Sequence, residues 1–406
     1  MGNETWTRML LRDFVTLQRG HDLPDDRRRP GQVPILGSFG ITGWHDEART
    51  LGPGVTIGRS GNSFGVVSYS PIDYWPLNTA LYVIDFHGND PRFAFYFLKA
   101  LDFKAFNSGS AQASLNRNFI HPIPVEVPPL PEQRAIARIL GTLDDKIELN
   151  RRMNETLEAM ARAVFKSWFV DFEPVRAKMD GCDPGLPKPI ADLFPGSFQQ
   201  SELREIPKGW RIAAFGDIAE QQHRSTRPDQ IQPHTPYIAL EHMPKRCIAL
   251  SDWDTAEGLE SNKSEFKTGE ILFGKLRPYF HKVGVAPLDG VCSTDIVVVV
   301  AKADAWFGFV LCQASSDAFV EYTNAGSTGT KMPRASWGYM AQYQVVMPTN
   351  PLADAFTKLL RPSINRMIAG IHESRTLAVL RDTLLPKLIS GELRVKDAER
   401  LIGKSI

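Results

Sequence analysis

The sequence predicts an α+β fold: two pseudo-repeated mixed α/β domains separated by a long two-helix antiparallel coiled coil. Three observations carry that expectation. The chain repeats itself, because Val127 to Ile136 (VPPLPEQRAI) aligns with Met347 to Phe356 (MPTNPLADAF), and in the same register Leu140 falls on Leu360 and Ile147 on Met367. Each copy continues into a long stretch of heptad periodicity, and each is preceded by a domain-sized block of short β-like runs. Upstream the register holds with small slips of the kind loop insertions produce. Gly58-Arg59 matches Gly274-Lys275, Gly109-Ser110 matches Gly326-Ser327, Arg117 matches Arg334 and Trp6 matches Trp210.

Five segments follow in order: a first block at 1–127, a spacer helix at 128–173, a Pro- and Gly-rich linker at 174–207, a second block at 208–348, and a final spacer helix with its tail at 349–406. In the first block Gly54 to Ile57 and Ala80 to Ile84 read as strands. Pro91 to Phe106, apolar all round, reads as one largely buried helix. In the second, Glu270 to Phe273 and Asp295 to Val300 read as strands and Trp306 to Tyr322 as the packed helix. The run Val297 to Val300 fits a strand covered on both faces.

The spacer helices are read from their step. Leu140, Leu143, Ile147, Asn150, Asn154, Leu157, Ala161, Val164 and Trp168 alternate by three and four residues, and so do Ile364, Met367, Ile371, Ser374, Ala378, Arg381, Leu385 and Leu388. The two seam asparagines cost stability and fix register. Each helix of about 38 residues spans roughly 57 Å and is too polar on its outer face to be buried alone, so each is the natural partner of the other. An antiparallel pair spares the linker a journey along the whole helix and gives the chain an internal approximate two-fold axis.

Composition bounds the function. The 406 residues carry a formal net charge of +1, which excludes binding to nucleic acid by bulk charge and leaves local basic loops. Four widely spaced cysteines without a C-x-x-C pair, and the lack of a signal peptide or membrane-length apolar run, point to a reducing cytoplasm, no structural metal and no membrane. Catalytic motifs fail on inspection. Gly269 to Leu276 nearly spells a phosphate-binding loop, but Leu276 stands where a Ser or Thr must hold Mg²⁺. Gly61-Asn62-Ser63-Phe64-Gly65 matches a nucleophile elbow but leads into a strand rather than the helix that chemistry requires. No Asn/Asp-Pro-Pro-Tyr/Phe methyltransferase signature is present. Single histidines such as His234, His242 and His281 read as surface or core residues, and Arg27-Arg28-Arg29, offset by Asp22, Asp25 and Asp26, as a solvated loop.

At these residues the chain resembles a known family. The run Pro128 to Phe169, with its Leu-Pro-Glu-Gln at Leu130 to Gln133, and the tail Leu384 to Val395 (LLPKLISGELRV) are similar to the spacer regions of the DNA-specificity (S) subunits of type I restriction-modification systems. The Gly-strand-Gly-basic steps at Gly54 to Arg59 and Gly269 to Lys275 resemble that family's target-recognition domains. Asn350-Pro351-Leu352-Ala353-Asp354 departs from the pattern of the first spacer. The resemblance implies a non-catalytic subunit without a cofactor of its own. It would read a split, asymmetric double-stranded DNA target, one half per domain, with the gap set by the coiled coil. Its implied partners are two methyltransferase subunits and motor-nuclease restriction subunits, which would use S-adenosylmethionine, ATP and Mg. A coiled-coil DNA-binding or scaffold protein without a restriction-modification role is the alternative.

Candidate DNA-contacting residues are the polar and basic residues at matched loop positions, since equivalent positions in two readers face a duplex equivalently. In the first block they are Arg59, Ser60, Asn62, Ser110, Gln112, Asn116 and Arg117. In the second they are Lys275, Arg277, Tyr279, Thr328, Thr330, Lys331 and Arg334. Arg and Lys suit guanine edges or phosphates, and Asn and Gln suit adenine edges.

Overall fold

The computed structural model describes residues 6–107, 114–202, 204–329 and 331–402. Contacts divide the chain into two compact units, one formed by Met1–Lys146 with Leu377–Ile406, the other by Ile147–Thr376. Each holds one β-rich region and a stretch of both long helices.

The first unit is built on a four-stranded antiparallel sheet in the order Thr16–Arg19, Ala80–Asp85, Gly54–Gly58, Val67–Ser70. A smaller sheet, Gly40–His45, Val33–Gly37 and Trp75–Pro76, contains one parallel pair, Ile35 opposite Trp75. Thr7–Leu10 pairs antiparallel with Pro124–Val127, so the beginning of the chain is stitched to the strand that feeds the first long helix. The helix Pro91–Ala100 starts with proline in its first turn and with the Asp90 carboxylate accepting the Phe93 amide at 2.8 Å. It buries Phe93, Tyr96, Phe97 and Leu98. It is shorter than the sequence predicts: Asp102 accepts the amide of Lys104 at 2.9 Å, and this local bond draws Phe103–Phe106 into a separate 3₁₀ turn.

The second unit repeats the sheet strand for strand: Ala219–Gln221, Ile296–Ala301, Ile271–Gly274, Val283–Val285. Ile296–Ala301 is covered on both faces, as the valine run predicts. Val297 and Val299 point into the larger core with Phe273 and Phe309, whereas Ile296 and Val298 point into a second core with Phe266 and Leu272. The companion sheet has five strands and again one parallel pair, Tyr237 opposite Val291. Arg211–Ala214 pairs with Gln344–Met347 as the first unit's opening strand does with its last. The expected helix Trp306 to Tyr322 is two helices, Phe307–Ala314 and Asp317–Ala325, because the Ser316 hydroxyl caps the second by accepting the Phe319 amide.

The long helices are Leu130–Phe165, which runs on through a π-type turn at Lys166–Val170, and Asn350–Ile389. They pack antiparallel in both units. In the second, Asn150 meets Ser374 while Phe165 meets Phe356; in the first, Asp144 meets Arg381. Seam residues Leu140, Leu143, Ala161, Trp168, Ile364, Met367, Ile371, Leu385 and Leu388 are buried. Segment 174–207, expected as a linker, carries the turn of helix Glu173–Met179 and the strand pair Phe198–Gln199 with Ile206–Pro207. Val175, Phe194 and Ile206 are buried in the second unit's core.

The Leu-Pro-Glu-Gln run acquires a physical role. Gln133 is buried, accepts the Asp90 amide at 3.0 Å and donates to Asn89 Oδ1 and the Pro128 carbonyl, clamping the start of the long helix to the start of Pro91–Ala100. Glu132 accepts from the Trp6 indole. The second copy departs in sequence because it anchors differently. There Thr357, also buried, accepts the Gly308 amide at 2.9 Å and donates to the Ala305 carbonyl.

Candidate nucleic-acid interface

In each unit the fold brings the two expected loops together by the same backbone bond. The Leu115 amide donates to the Arg59 carbonyl at 2.8 Å in the first unit, and the Ala335 amide to the Lys275 carbonyl at 2.9 Å in the second. Ser60 bridges to Ser114, and Leu276 to Arg334. The strand-end turn and the loop after the packed helix therefore form one surface in each copy.

In the first unit Asn62 is exposed on the 3₁₀ turn Gly61–Ser63, which leads into the strand Val67–Ser70 and not into a helix. Arg59 is half-buried, with its guanidinium donating to the Asn78 carbonyl at 3.0 Å. Burial, reinforced by the charge of Arg19, lowers its pKa. Asn116 is exposed and caps the short helix Arg117–Ile120, its Oδ1 accepting the Asn118 amide. Arg117 is exposed beside His121, whose pKa falls through burial and the charges of Arg117 and Arg12. Ser110 and Gln112 lie outside the described residues.

In the second unit Lys275 is half-buried and Tyr279 is 51% exposed, its ring 4.7 Å from that of Phe280. Thr328 exchanges backbone bonds with Arg334, and Lys331 is exposed. Arg334 holds Asp295 in an ion pair at 3.0 Å, which raises its pKa and leaves its charge locally neutralised. Arg277 adopts a left-handed backbone, φ 51°. Thr330 lies outside the described residues.

Two corrections follow. The sequence pairs Arg117 with Arg334, but the first residue of the helix Arg117–Ile120 corresponds to that of Trp337–Met340, since each helix precedes the closing strand by the same interval. Arg334 corresponds instead to Ser114, as their matched bridges require. The sequence reading also missed Arg19, His21, Arg49 and Asn78. The Asn78 amide donates to the His21 carbonyl at 3.0 Å, so this turn joins the end of Thr16–Arg19 to Arg59. Burial and the charge of Arg49 lower the pKa of His21. The signal was available in outline, because Arg19-Gly20-His21 closes its strand much as Gln222-His223-Arg224 follows the matching one. By contrast the Arg27 to Arg29 triplet is largely spent on ion pairs, Arg28 with Asp25 and Arg29 with Asp46 and Glu47.

Two β-rich regions share one sheet order, and each presents a paired polar loop. Residues 3–159 match the family described as the type I restriction modification DNA specificity domain. The chain is 26% identical over 305 residues to the MjaIX specificity subunit of Methanocaldococcus jannaschii, covering 72% of this chain and 66% of that protein. It is 21% identical over 389 residues to the HindI specificity subunit of Haemophilus influenzae, covering 82% and 85%. The match to the first of these thus spans just under two thirds of its length. Among solved structures the fold is that of a type I restriction-modification S subunit from M. genitalium, with TM-score 0.58, 14% identity and coverage of 96% and 97%. In sequence and in fold the chain is thus similar to the DNA-specificity (S) subunits of type I restriction-modification systems. No helix among the described residues is long and apolar enough to cross a membrane.

Proposed function

We propose that this subunit reads a split, asymmetric DNA target in the cytoplasm, one half through each β-rich region. The observation that carries the reading is the duplicated loop junction, Arg59 with Leu115 and Lys275 with Ala335, which sets polar and basic side chains at matched places on two copies of one sheet. Two related surfaces with different side chains suit two different half-sites. Phosphate contacts would position each surface and contacts to base edges would specify it. The gap between halves would follow from the length of the antiparallel helices. Methylation of an adenine in each half would fall to two methyltransferase subunits using S-adenosylmethionine, and cleavage to motor-nuclease subunits using ATP and Mg. The relatives' names, specificity subunits of type I restriction enzymes, support this division of labour.

The test is co-expression with the cognate methyltransferase subunits in a methylation-free host, with modified adenines mapped by single-molecule sequencing. One motif with two defined halves around a fixed gap is expected, and removal of one heptad from each long helix should change the gap while both halves persist. DNA binding without any modified adenine would favour the scaffold alternative.

A further inference from the structure

The strand-end turns of the two units share one conformation built from different residues. In the first unit Gly58 donates to the Val66 carbonyl at 2.8 Å and Phe64 to the Gly61 carbonyl at 3.1 Å; in the second Gly274 donates to Lys282 at 2.8 Å and Phe280 to Arg277 at 3.0 Å. These bonds place Arg277 where the first unit has Gly61, and His281 where it has Gly65. All four backbones are left-handed, with φ of 68° and 78° at the glycines and 51° at both Arg277 and His281. Glycine takes that conformation without steric cost, whereas a residue with a Cβ does not. A side chain kept there needs a reason.

His281 has one inside the fold. It is buried, with Nε2 3.0 Å from the Ser315 carbonyl and its ring beside Asp317. Arg277 has none: its guanidinium makes no hydrogen bond or ion pair among the described residues, and its Nε is buried without an acceptor. It borders a hollow of about 240 Å³ walled by Leu240, Leu276, Phe280 and Met332, with Lys282 as the second cation. Tyr279 projects from the same turn. Strain held at a residue whose guanidinium bonds to nothing inside the fold points to a functional position.

We propose that Arg277 is a specificity-determining residue of the second unit, its guanidinium reading the edge of a guanine, and that the first unit, with Gly61 at the same place, makes no such contact. The inference rests on the DNA-reading function above. A guanidinium fork matches the two acceptors of a guanine edge, and the buried Nε leaves its outer nitrogens to form that fork.

The experiment is Arg277→Gly in the full chain, co-expressed with the methyltransferase subunits, with methylated motifs mapped and the melting temperature of the purified chain measured. The variant should melt at or above the temperature of the parent because the left-handed turn is relieved. One guanine position in one half-site should relax, losing roughly 5- to 150-fold in discrimination, with the other half and the gap intact. Arg277→Lys should relax the same position, since it keeps the charge and loses the fork. An unchanged motif, at whatever melting temperature, would overturn the proposal. So would uniformly weaker methylation at every site, the signature of a phosphate contact. If the parent chain itself directs no two-part motif, the function and the inference fall together, a result distinct from the other two.

Discussion

Asp144 of the first long helix accepts a hydrogen bond from Arg381 of the second at 2.6 Å, and its other oxygen accepts from the Tyr96 hydroxyl at 2.5 Å. One carboxylate thus ties both helices to the helix that covers the first unit's sheet. Its burial is partial, with Asp144 and Arg381 side chains 25% and 16% exposed. Asp144→Ala should therefore cost less than a fully buried pair would, about 2 kcal/mol, by leaving Tyr96 without its acceptor and Arg381 with Asp382 alone. Denaturant unfolding followed by hydrogen exchange of residues 91–100 and 377–389 checks this. Unchanged protection there would refute the tie.

The two seam asparagines should behave oppositely. Asn150 donates to Glu373 at 2.8 Å and to Ser374 at 3.3 Å, and accepts from Arg366 at 3.4 Å. Asn154 is also buried, but its Oδ1 has no hydrogen-bond partner among the described residues, and the residue lines a cavity of about 410 Å³ together with Ile147 and Ile371. Asn154→Leu should raise stability by about 1 kcal/mol, while Asn150→Leu should lower it by about 2 kcal/mol by orphaning its partners. Thermal melts of the two variants decide the matter, and equal shifts of one sign would contradict it.

Stability should decline in alkali through the buried thiols. Burial pushes Cys292 and Cys312 up to about 12, and burial with the Glu158 charge takes Cys247 to about 11, against 9.0 for an ordinary thiol. Below pH 9 these thiols are neutral in folded and unfolded chains alike. As pH rises from there toward 12 the unfolded chain ionises first, so the folded state loses ground. Melting temperature in reducing buffer should fall from pH 9 upward, and a Cys292→Ala, Cys312→Ala double variant should show a shallower slope. In the same range exposed Cys182 should alkylate well before the other three.

The turn beneath Arg59 depends on Gly58. A Cβ there would lie 2.1 Å from the Ser63 carbonyl oxygen and 2.2 Å from that of Ser38. Gly58→Ala should destabilise the first unit by about 2 kcal/mol and displace Arg59 and Ser60, which bind the second loop. In the methylation assay one half-site should degrade alone. Loss of both halves together would show that the two surfaces are not independent.

Much of the architecture was legible in the sequence. The three-four step gave both long helices their extent and their buried faces, and the valine run at 297–300 announced a doubly covered strand, because periodicity records burial locally. Helix ends were less legible. The breaks at Asp102 and at Ser315-Ser316 arise from single side chains bonding nearby amides, a choice that apolar content around them conceals.

What the sequence determined by itself is the repeated order of elements and the presence of polar loops in both copies, since both are written in neighbouring residues. Only the tertiary structure decided which loop residues hold one another and which remain free. Arg334 is spent on Asp295, Asn116 on a helix cap and Gln133 on a clamp between two helices, whereas Arg277 and Gly61 share one backbone position that the gapped alignment did not single out. Those pairings join residues far apart in the chain. They exist only after the loops close, and no local pattern encodes the bond that closure permits.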